Sequence, residues 1–186
     1  MKIKTLVFTL VSLIITSVSF GQTKYNTRNG FIGFYSHTPV EDVKADNNQV
    51  TAVIDIEKGE FAFIALIKSF EFEKALMQEH FNENYMESDK FPKSTFSGKI
   101  KDMSNVDFKK DGEYPVIVDG NLTMKDKTNT VSANGTIIIK NGKIEAKSKF
   151  KIKPEDYNVI IPDLVKDQIA KEIEITVDVI LSPVAK

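Results

Sequence analysis

Apolar and polar residues alternate with a period of two along most of the chain, the pattern of strands that bury one face and wet the other. The alternation predicts a strand starting near Phe31 and others at 50–56, 60–67, 94–101, 114–124, 128–140, 143–152 and 172–181. The last is the clearest, with Ile173, Ile175, Val177 and Val179 on one face and Glu172, Glu174, Thr176 and Asp178 on the other. Glu57-Lys58-Gly59 reads as a charged turn, and Asn141-Gly142 as a two-residue hairpin, because both of its residues tolerate left-handed backbone. Short connections of this kind make antiparallel neighbours. The predicted fold is all-β, an antiparallel barrel of about eight strands, since closing the sheet removes edges that invite aggregation.

One long segment, around residues 70–90, interrupts the alternation. Phe70, Phe72, Ala75, Leu76 and Phe81 suggest the apolar face of a helix, and Glu79, Glu83 and Glu87 recur every four residues on its other side. Such a helix would lie across the barrel as a lid. Phe91-Pro92 ends it, because proline cannot continue a helix and drives its predecessor towards extended backbone. A second irregular stretch, 154–171, predicts a short helix around 162–170 with Leu164, Val165 and Ile169 pointing inward as a cap or plug. There is no internal repeat, low-complexity tract or linker, so the rest reads as one domain.

The N-terminus has a different pattern. Lys2 and Lys4 precede an uncharged run from Thr5 to Phe20, and Ser19-Phe20-Gly21 follows the small-residue rule of a secretory cleavage site. Residues 1–21 are therefore expected to be a signal peptide cut after Gly21, leaving residues 22–186 as a periplasmic or secreted domain without stable membrane insertion. The apolar run is shorter than the roughly 20 residues a membrane span needs. With no cysteine in the chain, export brings neither a lipidated cysteine nor disulfide stapling. Loss of Lys2 and Lys4 takes the formal charge from −1 to −3, with no basic field to suggest a nucleic-acid partner. Pairing of two copies stays open.

Catalytic options are few. Absence of cysteine excludes thiol chemistry, only His37 and His80 are available as bases, and no G-x-S-x-G elbow is present. No catalytic residue is assigned. Glu79, His80 and Glu83 are weak candidates for a metal site, but no second histidine stands at ligating spacing, and a solvated helix face explains the acidic row more simply. No cofactor is required by any motif.

If the charged alternates face out, the inward set is rich in small residues: Ala52, Ala65, Gly98, Gly120, Ala133, Gly135, Ala146 and Ser148. Phe61, Phe63, Phe96, Leu122, Phe150 and Val177 share those faces. Small residues ringed by large apolar ones either leave room for an elongated guest or fit the taper of a filled barrel; an eight-strand barrel stands at the size where both occur.

Three blocks carry a family resemblance. Residues 79–100, EHFNENYMESDKFPKSTFSGKI, resemble the connection into a central strand of the YceI-like family of small bacterial periplasmic proteins. Gly120-Asn121-Leu122-Thr123-Met124 followed by 128–131 is similar to that family's "G-x-L-T-[IM]-x-G-x-T-x-x-V" hairpin, and Phe150 with Asp156-Tyr157-Asn158-Val159 to its late "F-x-x-x-x-x-D-[FY]-G-[IV]" turn. The resemblance spans roughly residues 24–181. Asp126 and Asn158 stand where the family's turns have glycine, and Lys153 near a common arginine. The resemblance implies a lipocalin-like barrel that holds a polyisoprenoid, quinone or other long-chain lipid, and so favours the cavity over the filled core. The small amphiphile is then the expected partner, with His80, Tyr85, Lys153 and Tyr157 as candidates for its headgroup at the mouth. The alternatives are a metal-using or hydrolytic enzyme on the same barrel, built around His80 and the acidic lid, and a filled-barrel interaction protein.

Overall fold

In the computed structural model, which describes residues 23–184, the alternating segments form β1 (Lys24–His37), β2 (Asp42–Asp55), β3 (Glu60–Leu66), β4 (Glu71–Phe72), β5 (Lys93–Ile100), β6 (Gly112–Met124), β7 (Lys127–Lys140), β8 (Lys143–Ile152) and β9 (Ile173–Pro183). Eight of these run antiparallel in the order β1-β9-β8-β7-β6-β5-β3-β2, and pairing of β1 with β2 closes the barrel. The ninth, β4, adds two residues to the edge of β2 at Ala45 and Asp46. The expected leader, residues 1–21, lies outside the described residues. Among the described residues no helix is long and apolar enough to cross a membrane.

Two strands are longer than apolarity predicts. The first half of β2 reads DVKADNNQ, yet Val43, Ala45 and Asn47 alternate inward and are buried. Asn47 is tolerated there because its amide donates to the Leu66 carbonyl at 3.0 Å while its side-chain oxygen accepts from the Gln49 N–H at 2.8 Å. The closing β1–β2 pair shifts register on both sides of Gly30. A Cβ at that glycine would come within 2.6 Å of Val179 Cγ1, so the corner takes no side chain.

The strands define two ends. At the floor, Ile54, Ile100, Ile137, Ile144, Val179 and Leu181 meet in one buried cluster, and the 101–111 connection presses Val106, Met103 and Phe108 against it. The opposite end carries a short helix α1 (Ala75–His80) that continues into a π-helical turn, Phe81–Tyr85. Two 3₁₀ turns, Pro154–Tyr157 and Asp163–Gln168, cap the same end.

Both helical expectations need correction. The lid helix begins at Ala75, not near residue 70: Phe70 has extended backbone and Phe72 pairs with Ala45 of β2, so their spacing of two is a strand spacing. Glu87 also leaves the helix, in left-handed backbone at φ 49°. The 162–170 segment is a 3₁₀ turn in which the Val165 N–H bonds the Pro162 carbonyl at 3.0 Å. Its tighter pitch sends Leu164 into solvent while Val165 and Ile169 turn inward.

Candidate functional site

The mouth half of the barrel is hollow. A cavity of about 560 Å³ opens beneath α1, floored by Phe61, Val116 and Ile137. Its walls are almost wholly apolar. Of the residues expected inside, Phe61, Phe63, Ala65, Phe96, Leu122, Ala133, Gly135, Ala146, Ser148, Phe150 and Val177 line it.

Ala52, Gly98 and Gly120 do not. Ala52 is fully buried within the floor cluster. Gly98 and Gly120 are cross-strand partners, and the Phe96 ring lies over both, with its Cζ 2.5 Å from where either Cβ would stand. Their missing side chains seat an aromatic ring and leave nothing for a guest.

The hollow has a cause in the wall. The β7–β8 ladder runs from Lys140↔Lys143 only to Gly135↔Ser148, although both strands continue towards the mouth. Beyond that point Ser148 Oγ donates to the Asn134 carbonyl at 2.7 Å, and further up Asn129 Nδ2 donates to the Asp156 carbonyl at 2.7 Å. The strands part, and the Pro154–Tyr157 turn covers the divergence. A barrel widened on one side has more interior than its side chains fill.

Aromatic contacts hold the lid. The Phe81 ring stands 5.5 Å from Phe34, 5.7 Å from Phe70 and 5.0 Å from Phe72 between centroids, so one side chain of the π-helical turn engages rings from β1, β4 and the residue that leads into β4. Lys125 forms the second tether, from the β6–β7 turn. It adopts φ 51°, its side chain is buried, and its Nζ donates to the carbonyls of Tyr85 at 3.2 Å and Asn158 at 3.0 Å while pairing with Glu87. That hydrogen bond from Lys125 holds the Glu87 carboxyl below its ordinary range. Left-handed backbone in this turn thus falls on Lys125, not Asp126, whose carboxylate accepts from Asn158 Nδ2 at 2.9 Å. Asn158 is itself left-handed, at φ 57°.

The four headgroup candidates separate. His80 and Tyr85 border the mouth. Lys153 is exposed outside it, and Tyr157 is buried beneath the cap, where burial raises its phenol pKa. Glu79 and Glu83 face solvent, and with Glu87 turned to Lys125 the acidic row is broken; among the described residues no group of three or more could hold a metal ion. Polar groups at the mouth that sequence reasoning missed are Glu41, Lys74 and Gln168. Lys74 Nζ donates to Glu41 Oε1 at 2.9 Å, which raises the lysine pKa and straps the start of α1 to the β1–β2 loop. Ser36 Oγ, buried, accepts from the Ala170 N–H at 2.8 Å and fixes the second cap. Nothing in sequence spacing marks these long-range pairs.

A closed eight-strand antiparallel barrel with a plugged floor and a lidded apolar cavity defines a lipocalin-like binding protein. The YceI-like domain model matches residues 24–181, so the chain belongs to the YceI-like family, a family of binding proteins. No curated protein matches it. Among solved structures, a polyisoprenoid binding domain from Saccharophagus degradans is 12% identical, with TM-score 0.74 over 88% of this chain and 100% of that one. BcnA of Burkholderia cenocepacia is 18% identical, with TM-score 0.67 over 82% of this chain and 96% of its own. The YCEI protein of Campylobacter jejuni is 16% identical, with TM-score 0.55 over the whole of both. At these identities the likeness establishes the fold alone.

Proposed function

We propose that the chain is an exported carrier that takes one amphiphile into the hollow half of its barrel, apolar chain inward and headgroup beneath the lid. The carrying observation is the 560 Å³ apolar cavity beneath the two caps. At about 30 Å³ per water-sized group, it accommodates roughly twenty methylene-sized groups. Each buried methylene contributes about 0.8 kcal/mol, which gives affinity without chemical specificity. Polyisoprenoid, quinone and long fatty chains all fit this description, and the polyisoprenoid binding named for the Saccharophagus domain puts that class first. His80, Tyr85, Lys74 and Gln168 are the side chains placed to meet a headgroup.

The test is native mass spectrometry of protein isolated gently from a bacterial envelope, followed by organic extraction. A stoichiometric long-chain adduct is expected, on a chain whose intact mass begins at Gln22. A bare protein that also declines added isoprenoid, quinone and fatty chains would sink the reading.

A further inference from the structure

Large apolar side chains left in water are not scattered evenly over this barrel. Among the described residues the four most exposed are Leu164 at 93%, Ile160 at 78%, Val40 at 65% and Leu76 at 61%. All four belong to the mouth. Val40 sits in the β1–β2 loop beside Glu41, which pairs with Lys74 at the start of α1, and Leu76 follows two residues on. Ile160 and Leu164 alternate with Val159, Ile161 and Val165, which line the cavity. The rim therefore carries apolar prongs on three separate segments around one opening.

Two ion pairs lie beside the prongs. Glu41 is paired with Lys74 at 2.9 Å and Asp163 with Lys166 at 3.4 Å. A protein partner needs a continuous complementary face, of about 800 Å² on each side for a stable complex. Separated prongs around a hole do not supply one. A fluid bilayer accommodates prongs at any spacing and would keep the opening dry. We propose that the mouth rim docks on a lipid bilayer surface, with Leu164, Ile160, Val40 and Leu76 entering its interfacial layer and the cavity facing the acyl chains. The proposal rests on the carrier reading, because docking would let an amphiphile pass between membrane and cavity without its chain crossing water.

Flotation with phosphatidylcholine vesicles tests it, using protein from expressing cells whose N-terminus is fixed by intact mass, with uptake of a soluble apolar fluorophore measured in parallel. The expected result is co-flotation that does not change between low and high salt, since phosphatidylcholine carries no net charge for the rim charges to attract or repel. Replacing both prongs of the second cap, Ile160→Gln with Leu164→Gln, is expected to lower the partition coefficient by about tenfold or more. Both side chains are exposed, so the variant folds, and unchanged melting checks that. Failure to float while the fluorophore is taken up would overturn docking and leave the carrier reading standing. Flotation unaffected by the double substitution, or abolished by salt, would overturn it as well. Rim-dependent dimerisation without flotation would replace the bilayer by a second copy. Rim-dependent flotation with no fluorophore uptake would support docking and count against the carrier reading alone.

Discussion

The two halves of the barrel are built from the same eight strands and the same inward alternation, yet one is filled and the other hollow. At the floor, Ile137, Ile144, Val179 and Leu181 meet Ile54 and Ile100, with β7, β8 and β9 continuously paired at that end, and Val106 closes it. At the mouth, β7 and β8 separate beyond Gly135 and Ser148, and Met86, Tyr157 and Val159 of the closing loops pack against the upper wall around the cavity. What differs is the continuity of the wall and the reach of the loops. Alternation fixes which side chains face in; it does not fix how much space they must fill.

The largest effect expected from this contrast is on stability. Ile54→Ala at the floor removes a fully buried side chain that does not border the cavity and should cost about 3–4 kcal/mol, within the usual 2–5 for such truncations. Phe150→Ala at the mouth trims a ring that already borders a void, so its cost should fall to about 1–2 kcal/mol despite the larger deletion. Urea denaturation of the two variants measures both. Equal losses would mean that the mouth is packed as tightly as the floor.

Next in size is the boundary between the halves. Ala146 belongs to the floor cluster and lines the cavity at once. Ala146→Phe should send a ring into the empty space, abolishing stoichiometric ligand while costing less than the 1–3 kcal/mol typical of overpacking. Ala133→Phe should do the same from β7. Extraction and urea melts on the same samples separate the outcomes: clear unfolding with no cavity left to block would remove the distinction between the halves.

How far the sequence carried this contrast depends on the residue. The strands of the second half of the chain, the Asn141-Gly142 turn and most wall residues are legible because period-two alternation is a local signal. Gly98 and Gly120 were legible as inward and small, but the ring that covers them comes from Phe96, two residues from Gly98 on β5 and across the ladder from Gly120, and no spacing rule says which way it leans. Phe70 and Phe72 fitted a helical face only because a stretch of mixed character satisfies two periods at once. Lys125, Glu41 and Ser36 were invisible, since each acts through a partner 33 or more residues distant. The early half of β2 was missed because its buried Asn47 is satisfied by hydrogen bonds, which composition cannot report.

Phe81→Ala probes the lid alone. Loss of a half-buried ring with three aromatic neighbours should destabilise the protein by up to about 3 kcal/mol, the low end for such truncations. The floor is untouched, so bound ligand should still be found. Its release should quicken by on the order of tenfold, corresponding to about 1.4 kcal/mol of lost closure. Stopped-flow displacement of a fluorescent apolar probe measures this. An unchanged release rate would show that the aromatic quartet packs the lid without gating the cavity.

The smallest effect concerns pH, and its sign follows from Glu87. Its carboxyl is held below the ordinary carboxylate range by the hydrogen bond from Lys125, so it binds its proton less readily folded than unfolded. The stabilisation is therefore fully present above the unfolded carboxylate pKa and is lost as pH falls through the lower folded value. Acid should loosen the tether between the β6–β7 turn and the end of the lid before it affects the floor, where the strand faces in contact are apolar. Lys125→Met keeps an unbranched side chain one atom shorter and removes its charge, so it should abolish that acid dependence of probe release while leaving release at neutral pH faster than in the native protein. Should the variant keep the same acid-induced quickening, the pH response must arise elsewhere, and Asp126 becomes the next group to test, because its carboxyl is lowered by the hydrogen bond from Asn158 in the adjacent cap.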